Sequence, residues 1–438
     1  MKKLTKIVLA LILTATFAMS SMATTWYVSP NGKKKNAGTN PAEPLKTIYN
    51  ALDQAADGDK ILVAAGNYSG KTGTGFIVIE KPVEIYGGYS DDFKTRDIAK
   101  YQSSIRPSMD TNATPPQNGT VEFKIDGKPN SKTVFDGFIL DHSEVNAYHS
   151  TEGKPAGVET GMWLEPPTKG SYAFPSLKKY LVYGNTDGNL TISNCLFLNS
   201  SNYALNLNHH TGTVNIKNNV FLNSRMMACN VSCRSAKVFA TKMNFEYNTV
   251  LLTWSRTKDF GDMGYGVRAL SKVDANISHN ILGLSVMSGF DNGMNNRKGE
   301  AKVTLDENMF FLNKKGDVSF TVSPSIKYIR VDDDAFEDFE DYDGVESCED
   351  NVSLKDPKVF KGIIDQAFLE AFLNASYTET TDYNPNSPAN QFRAAMGMNT
   401  QGSIKSKVSM YANKYPFSDN VMKFFGAVKD YGAQNLPK

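Results

Sequence analysis

The sequence carries almost no net charge. Its 47 lysines and arginines are balanced by 46 aspartates and glutamates, which gives a formal charge of +1 and a pI of about 7.6. Proteins that bind nucleic acid through their overall field carry a large excess of basic residues. This balance therefore predicts no nucleic-acid partner, and any basic site must be local.

Cysteine is also scarce. The four cysteines form no CxxC pair and no Cys/His spacing that is typical of a structural zinc site. On one extended strand, Cys229 and Cys233 would lie about 13 Å apart, beyond the limit of about 7 Å for a disulfide, so they could pair only across a turn. We expect buried, inert thiols at Cys195, Cys229, Cys233 and Cys348.

Long apolar runs are missing after the N-terminus. Lys2, Lys3 and Lys6 precede an apolar run over residues 7–19, and the small-residue site Ser21-Met22-Ala23 follows. This order is typical of a secretory signal peptide, predicted here for residues 1–23. The run is too short for a bilayer core of about 30 Å, and no later segment offers about 18 consecutive apolar residues. We therefore predict a secreted or periplasmic protein without a membrane span.

No Pro/Ser/Gly-rich linker divides the rest of the chain, although it exceeds the usual domain size of about 100–200 residues. A solenoid explains this length, because each rung contacts only its neighbours. Five segments repeat an asparagine followed two places later by an apolar residue, which predicts stacked turns in an asparagine ladder. The asparagines are Asn194, Asn218, Asn248, Asn280 and Asn308. Strand alternation predicts one interior stack of Leu196, Val220, Val250, Leu282 and Phe310.

The two ends of the solenoid need covers, because unpaired rungs aggregate. Residues 45–56 have helical spacing and are predicted to cap the N-terminal rung. The acidic stretch over residues 332–350 does not match an EF-hand loop, so we expect a solvated loop and leave a calcium site open as the alternative. We predict an all-β parallel β-helix over residues 24–353 and an irregular C-terminal cap over residues 354–438, placed on the last rung.

Three segments resemble the opening of secreted right-handed parallel β-helix proteins of the pectate-lyase-like and chondroitinase B–alginate lyase type. They are Trp26-Tyr27-Val28-Ser29-Pro30-Asn31-Gly32, Gly58-Asp59-Lys60-Ile61-Leu62-Val63 and Thr95-Arg96-Asp97. The resemblance implies the pectin lyase fold, a right-handed winding and a polysaccharide partner. It is specific for the fold and much less so for an activity, since one fold hosts many functions.

Candidate site residues concentrate between residues 206 and 268. Strands that stack in register would bring them about 4.8 Å apart per rung, into one basic and aromatic groove suited to an acidic polysaccharide. The predicted substrate-binding residues are His209, Asn230, Arg234 and Trp254 in this stretch, and Trp163 near an earlier long insertion. The same groove also fits a simpler reading, in which these charges only solvate the outer face and the aromatic residues fill space.

Because this basic groove suits an acidic polysaccharide, we predict that the protein is a polysaccharide lyase. Cleaving a uronate by β-elimination requires a cation on the carboxylate, a base for the adjacent proton and an acid for the leaving oxygen. The segment Gly264-Tyr265-Gly266-Val267-Arg268 resembles the arginine-bearing rung of the chondroitinase B–alginate lyase family, and His210-Thr211-Gly212 resembles its histidine-bearing rung. The resemblance implies catalytic roles for Arg268, His210 and Tyr265, and chain position adds Lys237 as the base.

Two other functions stay open at this stage. A glycoside hydrolase would need two carboxylates about 5–10 Å apart, for which Glu246, Asp259, Asp262 and Asp291 are available. A non-catalytic glycan-binding protein would need no complete catalytic motif. We expect a monomer, and the sequence assigns no cofactor or metal beyond the calcium alternative.

Overall fold

The computed structural model describes residues 23–71, 77–106, 119–142, 180–200, 202–233, 240–254, 263–292, 301–322, 325–377, 384–400 and 415–437. Within them the chain forms a parallel β-helix, as predicted. No helix in this part of the chain is long and apolar enough to cross a membrane. The strands, numbered β1 to β26, are Thr25–Val28, Lys60–Ala64, Gly66–Tyr68, Ile77–Ile79, Glu84–Tyr89, Ser103–Ile105, Gly119–Ile125, Lys132–Asp136, Phe138–Asp141, Tyr180–Ser193, Leu196–Ser200, Leu205–Lys217, Val220–Ser224, Met227–Ser232, Thr241–Glu246, Thr249–Thr253, Tyr265–Leu270, Val273–Ser278, Ile281–Ser285, Ser288–Asn292, Ala301–Asp306, Met309–Phe311, Gly316–Val322, Ser325–Ile329, Val345–Ser347 and Val352–Ser353.

The strands form a long sheet and a nine-stranded sheet, and every described pair except β23 with β24 is parallel. The long strands β10 and β12 bend at Gly188 and Gly212, which have φ of 79° and 101°. A Cβ on Gly212 would lie 2.2 Å from the carbonyl oxygen of Gly188, so only glycine fits this close approach. The bend divides the long sheet into a first half-sheet (β14, β17, β20, β23 and the start of β10 and β12) and a second half-sheet (β15, β18, β21 and the end of β10 and β12).

The interior stack departs from the predicted one on its first two rungs, where the register is shifted by one residue. Val250, Leu282 and Phe310 do lie in the core, where they align with Phe197 and Phe221. The predicted Leu196 and Val220 instead face outward, under the C-terminal segment. The reason is that Asn248 aligns with Asn219 rather than Asn218, and a slip of one residue along a strand reverses the side-chain face.

A column of asparagines, four of them buried and the last half-buried, joins five successive rungs. The Oδ1 of Asn248 accepts hydrogen bonds from the backbone N–H and the side-chain amide of Asn219, at 2.9 and 3.0 Å. The same pattern repeats down the column through Asn280, Asn308 and Asn351. These amides satisfy backbone groups that would otherwise be buried without partners, so they fix the turn between the two sheets.

The four cysteines are buried and free, as expected. Burial raises the pKa of the Cys195 and Cys229 thiols, so these thiols stay protonated at neutral pH. Inert thiols of this kind contribute to packing and give the protein no nucleophile.

Both ends of the core are covered. The helix α1, Ile48–Gln54, begins after the N-cap Thr47 and buries Ile48, Ala51 and Leu52 against the first rung. At the other end, the 3-10 helix Asp334–Asp341 buries Phe336 and Phe339, and Phe339 lies 5.5 Å from Phe320 of β23. Part of the acidic stretch therefore closes the last rung through its aromatic residues, while its carboxylates face outward.

The C-terminal segment lies along the side of the solenoid and not over the last rung where the sequence places it. Its ordered elements are the 3-10 helix Pro357–Phe360, the helices α2 (Gln366–Ser376) and α3 (Pro388–Met396), and the 3-10 helix Asp419–Phe424. Phe360 and Phe392 pack on Phe311, with ring centroids 5.4 and 5.9 Å away. The nine-stranded sheet exposes an apolar outer row, and the segment buries it.

Candidate functional site

A row of outward-facing polar side chains crosses five neighbouring strands of the first half-sheet. Tyr183, Asn206, Asn230, Arg268 and Asp291 occupy the same register position on β10, β12, β14, β17 and β20. Their neighbours along each strand, such as Leu207 and Val267, point into the core. Strands in one sheet lie about 4.8 Å apart, so the row extends roughly 20 Å along the solenoid. We call these five residues the Arg268 row.

Four more tyrosines flank the row. Tyr180 lies 5.5 Å from Tyr183 and 5.3 Å from Tyr203, measured between ring centroids. The guanidinium of Arg268 lies 4.5 Å from the ring centroid of Tyr265, whose hydroxyl interacts with Tyr328. Aromatic rings beside amide and guanidinium donors are a typical lining for a sugar-binding groove.

Arg268 is held by Asp291, which is the partner that the sequence reasoning missed. The Nε of Arg268 donates to Oδ2 of Asp291, and the Oγ of Ser319 donates to Oδ1 at 2.6 Å. The side chains of Arg268 and Asp291 are only 13% and 3% exposed. Burial is the largest single effect and lowers the pKa of Arg268, but the charge and hydrogen bond of Asp291 together with the neighbouring tyrosines outweigh it, so the pKa is raised overall. Arg268 is therefore a charged, oriented donor whose charge is compensated.

Asn230, one of the predicted substrate-binding residues, lies in the row. It is buried, and its Nδ2 donates to Oδ1 of Asn206 at 2.8 Å. Tyr265 also lies beside Arg268. Burial and the negative charge of Asp291 raise the pKa of Tyr265 far above its usual value, so its hydroxyl stays protonated and cannot be a base at neutral pH.

His209 points into the core and not into a groove, contrary to its predicted position. It follows Leu205 and Leu207 on the inward face of β12 and is fully buried. Its Nε2 donates to the carbonyl oxygen of Gly188 at 3.1 Å, and its Nδ1 accepts from the Oγ1 of Thr186 at 2.8 Å. Burial lowers the pKa of His209 to about 4, so it is a neutral core residue.

His210 points outward but lies away from Arg268. It is four residues beyond Asn206 on β12, and Asn206 aligns with Arg268 two strands away. At about 3.3 Å per residue and 4.8 Å per strand, this separates the two Cα atoms by about 13 Å along the strands and 10 Å across them. The register therefore does not place His210 beside Arg268.

Trp254 is a packing residue, which corrects its predicted role in stacking on sugar. It is 3% exposed, its Nε1 donates to Oδ1 of Asn223 at 3.0 Å, and its ring lies 4.1 Å from Phe372 of α2. The C-terminal segment covers it, and sequence alone does not reveal that cover. The remaining predicted residues Trp163, Arg234 and Lys237 lie outside the described residues.

The described residues give little support to a pair of hydrolytic carboxylates or to a metal site. Glu246 lies on the second half-sheet, bonded to Asn276, whereas Asp291 is paired with Arg268 on the first. Asp259 and Asp262 lie outside the described residues. Among the residues that the structure describes, which include the acidic stretch 332–350, no group of three or more His, Cys, Asp or Glu could hold a metal ion.

The missed residues had a weak signal in the sequence. Asp291 follows Phe290 as Arg268 follows Val267, so an alignment of rungs would have placed the two side by side. Tyr328 gives no such signal, because it lies on β24, which turns back antiparallel to β23. This hairpin is not part of the repeat, so the repeat does not place Tyr328 beside Tyr265.

Comparisons with known proteins concern the fold. A family model described as a protein of unknown function (DUF1565) matches residues 30–132, which precede the Arg268 row. No curated protein matches. Among solved structures, a rhamnogalacturonan lyase aligns with a TM-score of 0.35 and 10% identity, over 75% of this chain and 87% of that one. The class that the strand pairing defines is a parallel β-helix, with a polar and aromatic row on one outer face.

Proposed function

We propose that the protein binds an extended polysaccharide along the Arg268 row and cleaves a uronic-acid-containing glycan there by β-elimination. The observation that carries this proposal is the register itself, which aligns Tyr183, Asn206, Asn230 and Arg268 on adjacent strands. Amides bind sugar hydroxyls, guanidinium groups bind carboxylates in a bidentate manner, and aromatic rings pack on sugar rings. A linear glycan can meet all three along one row.

Each step of the elimination has a proposed group. Arg268, oriented by Asp291, binds the uronate carboxylate and stabilises the negative charge that develops when the adjacent proton leaves. The hydroxyl of Tyr328, which is less buried than the neighbouring Tyr265, donates the proton to the leaving oxygen. Lys237 remains the proposed base, on its position in the chain after β14.

A second candidate is glycan binding without cleavage. The compensation of Arg268 by Asp291, with both side chains largely buried, favours it. An arginine whose charge is already neutralised stabilises a developing negative charge less than an unpaired cation does. In that case the row holds a glycan through hydrogen bonds and ring contacts alone.

Absorbance of the new carbon–carbon double bond separates the two. The purified protein is incubated with alginate, pectate, chondroitin, heparin and ulvan, with and without calcium. We expect a rise on one of them that is lost in Arg268→Ala and in Lys237→Ala and kept in Lys242→Ala, an exposed lysine on the second half-sheet. Retarded migration on glycan gels without any absorbance change would favour the binding protein. A rise that persists in Arg268→Ala would refute the site.

We also propose export of a monomer, from the signal-peptide pattern of residues 1–23. Mass spectrometry of protein recovered outside the cytoplasm should find a chain that begins at Thr24, and light scattering should give the mass of one chain. An intact N-terminus on all of the protein would contradict export by this route.

A further inference from the structure

A second cleft lies on the other side of the bend, on the second half-sheet. Its volume is about 390 Å³, which is enough for a sugar ring. One wall belongs to the β-helix and the other to the C-terminal segment. The lining residues are Thr191, Ser193, Asn194, Lys217, Asn218, Tyr247 and Gln434.

One column of turn residues shapes the cleft. Asn194, Asn218, Tyr247, His279 and Glu307 occupy the same turn on successive rungs, each with φ between 54° and 57°. The first two side chains are small and the third is a large ring, so the column has a step at Tyr247. The rings of Tyr247 and His279 are stacked, with centroids 4.6 Å apart and planes 11° apart. One face of Tyr247 is thus covered, and the opposite face borders the cleft.

The ring is held in place from behind. The Nε2 of His279 lies 3.1 Å from a carboxylate oxygen of Glu307, and its carbonyl oxygen accepts from the N–H of Gly432 at 2.7 Å. A ring that is already stacked on a neighbour loses little entropy on binding a ligand.

The facing wall is equally fixed. The backbone N–H of Gln434 donates to Oδ1 of Asn218 at 2.6 Å, and its side-chain amide donates to the carbonyl oxygens of Val428, Tyr431 and Gly432. The cleft is therefore built before any ligand arrives.

Charges around the cleft occur in pairs of opposite sign. Lys217 lies 3.8 Å from Glu246, and Asp430 lies 3.8 Å from Lys429. Asp136, which accepts hydrogen bonds from Ser193 and Asn194, is paired with Arg96. A site with compensated charges gives no advantage to an ionic ligand over a neutral one.

We propose that this cleft is a binding site for a neutral pyranose sugar, with the open face of Tyr247 as its platform. The C–H groups of a pyranose pack on an aromatic face, while hydroxyls meet Thr191 and Lys217 at the sides. The site would hold a neutral part of a glycan, and it does not depend on the elimination proposed at the Arg268 row.

Calorimetric titration of the full-length mature protein with cellohexaose, xylohexaose and mannohexaose tests the inference. We expect binding of at least one, weakened about tenfold in Tyr247→Asn and within about twofold in Tyr247→Phe, which keeps the ring. Asparagine occupies the same left-handed turn on two other rungs, so the first variant removes the ring without straining the backbone. Tyr101→Asn is the matched control, and thermal unfolding checks that each variant folds.

Two results would overturn the inference. One is the absence of binding for all three sugars by the unchanged protein, and the other is equal binding by the unchanged protein and Tyr247→Asn. Because the titration reads neutral sugar binding and not cleavage, a failure of the elimination proposal leaves its outcome unaffected.

Discussion

Acid should destabilise the folded protein through His209, the buried histidine on β12. Its pKa of about 4 in the folded protein lies below the value of about 6.5 expected in an unfolded chain. Above pH 6.5 the residue is neutral in both states. Between pH 6.5 and 4 the unfolded chain binds a proton that the folded protein does not, so stability falls as the pH falls.

The size of the effect follows from the same two values. One pH unit corresponds to about 1.4 kcal/mol for each histidine, so His209 alone should remove roughly 2 kcal/mol between pH 6.5 and pH 5. His142, buried against Thr120 and with its pKa lowered to about 3 by burial, should add a similar loss. Two of the five histidines therefore dominate this sensitivity to acid.

Urea unfolding followed by tryptophan fluorescence at pH 7 and pH 5 measures it. In His209→Asn the free energy of unfolding should change less between the two pH values, by roughly 2 kcal/mol, because no proton can be taken up at this position. His279→Asn, which removes a more exposed histidine, should keep the loss that His209 causes. If His209→Asn and the unchanged protein lose the same stability, His209 is accessible to solvent, as its predicted role in substrate binding would require.

Three further substitutions test the packing by urea unfolding. Asn280→Ala leaves a buried backbone N–H of the neighbouring rung without its acceptor and should cost about 2–4 kcal/mol, against less than about 0.5 kcal/mol for the half-buried Asn244→Ala on the outer face. Trp254→Ala should cost about 3–5 kcal/mol and leave glycan binding unchanged, and equal stability would contradict its burial. Asp291→Ala should cost about 3–5 kcal/mol because the charge of Arg268 stays buried, and Asp291→Asn should cost less.

The fold could be predicted because its signal is periodic. A rung repeats every 24 to 32 residues, and each turn marks itself with an asparagine that tolerates left-handed backbone or bonds to neighbouring main chain. The register within a rung was less certain, since Asn218 and Asn219 are adjacent and only one of them aligns with Asn248. Because Asn218 was aligned with Asn248, Leu196 and Val220 were predicted to face the core and not the outer side of the sheet.

The site could be predicted only where it follows the strand order. Asn230 and Arg268 meet because β14 and β17 are consecutive in the first half-sheet. The predicted positions of His209 and Trp254 in the groove were wrong for different reasons. His209 alternates into the core on a strand whose phase was not known, and Trp254 is covered by a segment more than a hundred residues later. Both the phase of the strand at His209 and the cover over Trp254 depend on the rest of the fold, so the sequence around each residue does not reveal them.

The most direct test of the central claim is a crystal structure of the protein with the uronic-acid oligosaccharide that it binds or cleaves. To prevent turnover, the base variant Lys237→Ala would be used. We predict density for the sugar chain across the Arg268 row, with a carboxylate in contact with the guanidinium of Arg268 and sugar rings against Tyr183. A sugar bound elsewhere, with no contact to Arg268, would contradict the proposed site.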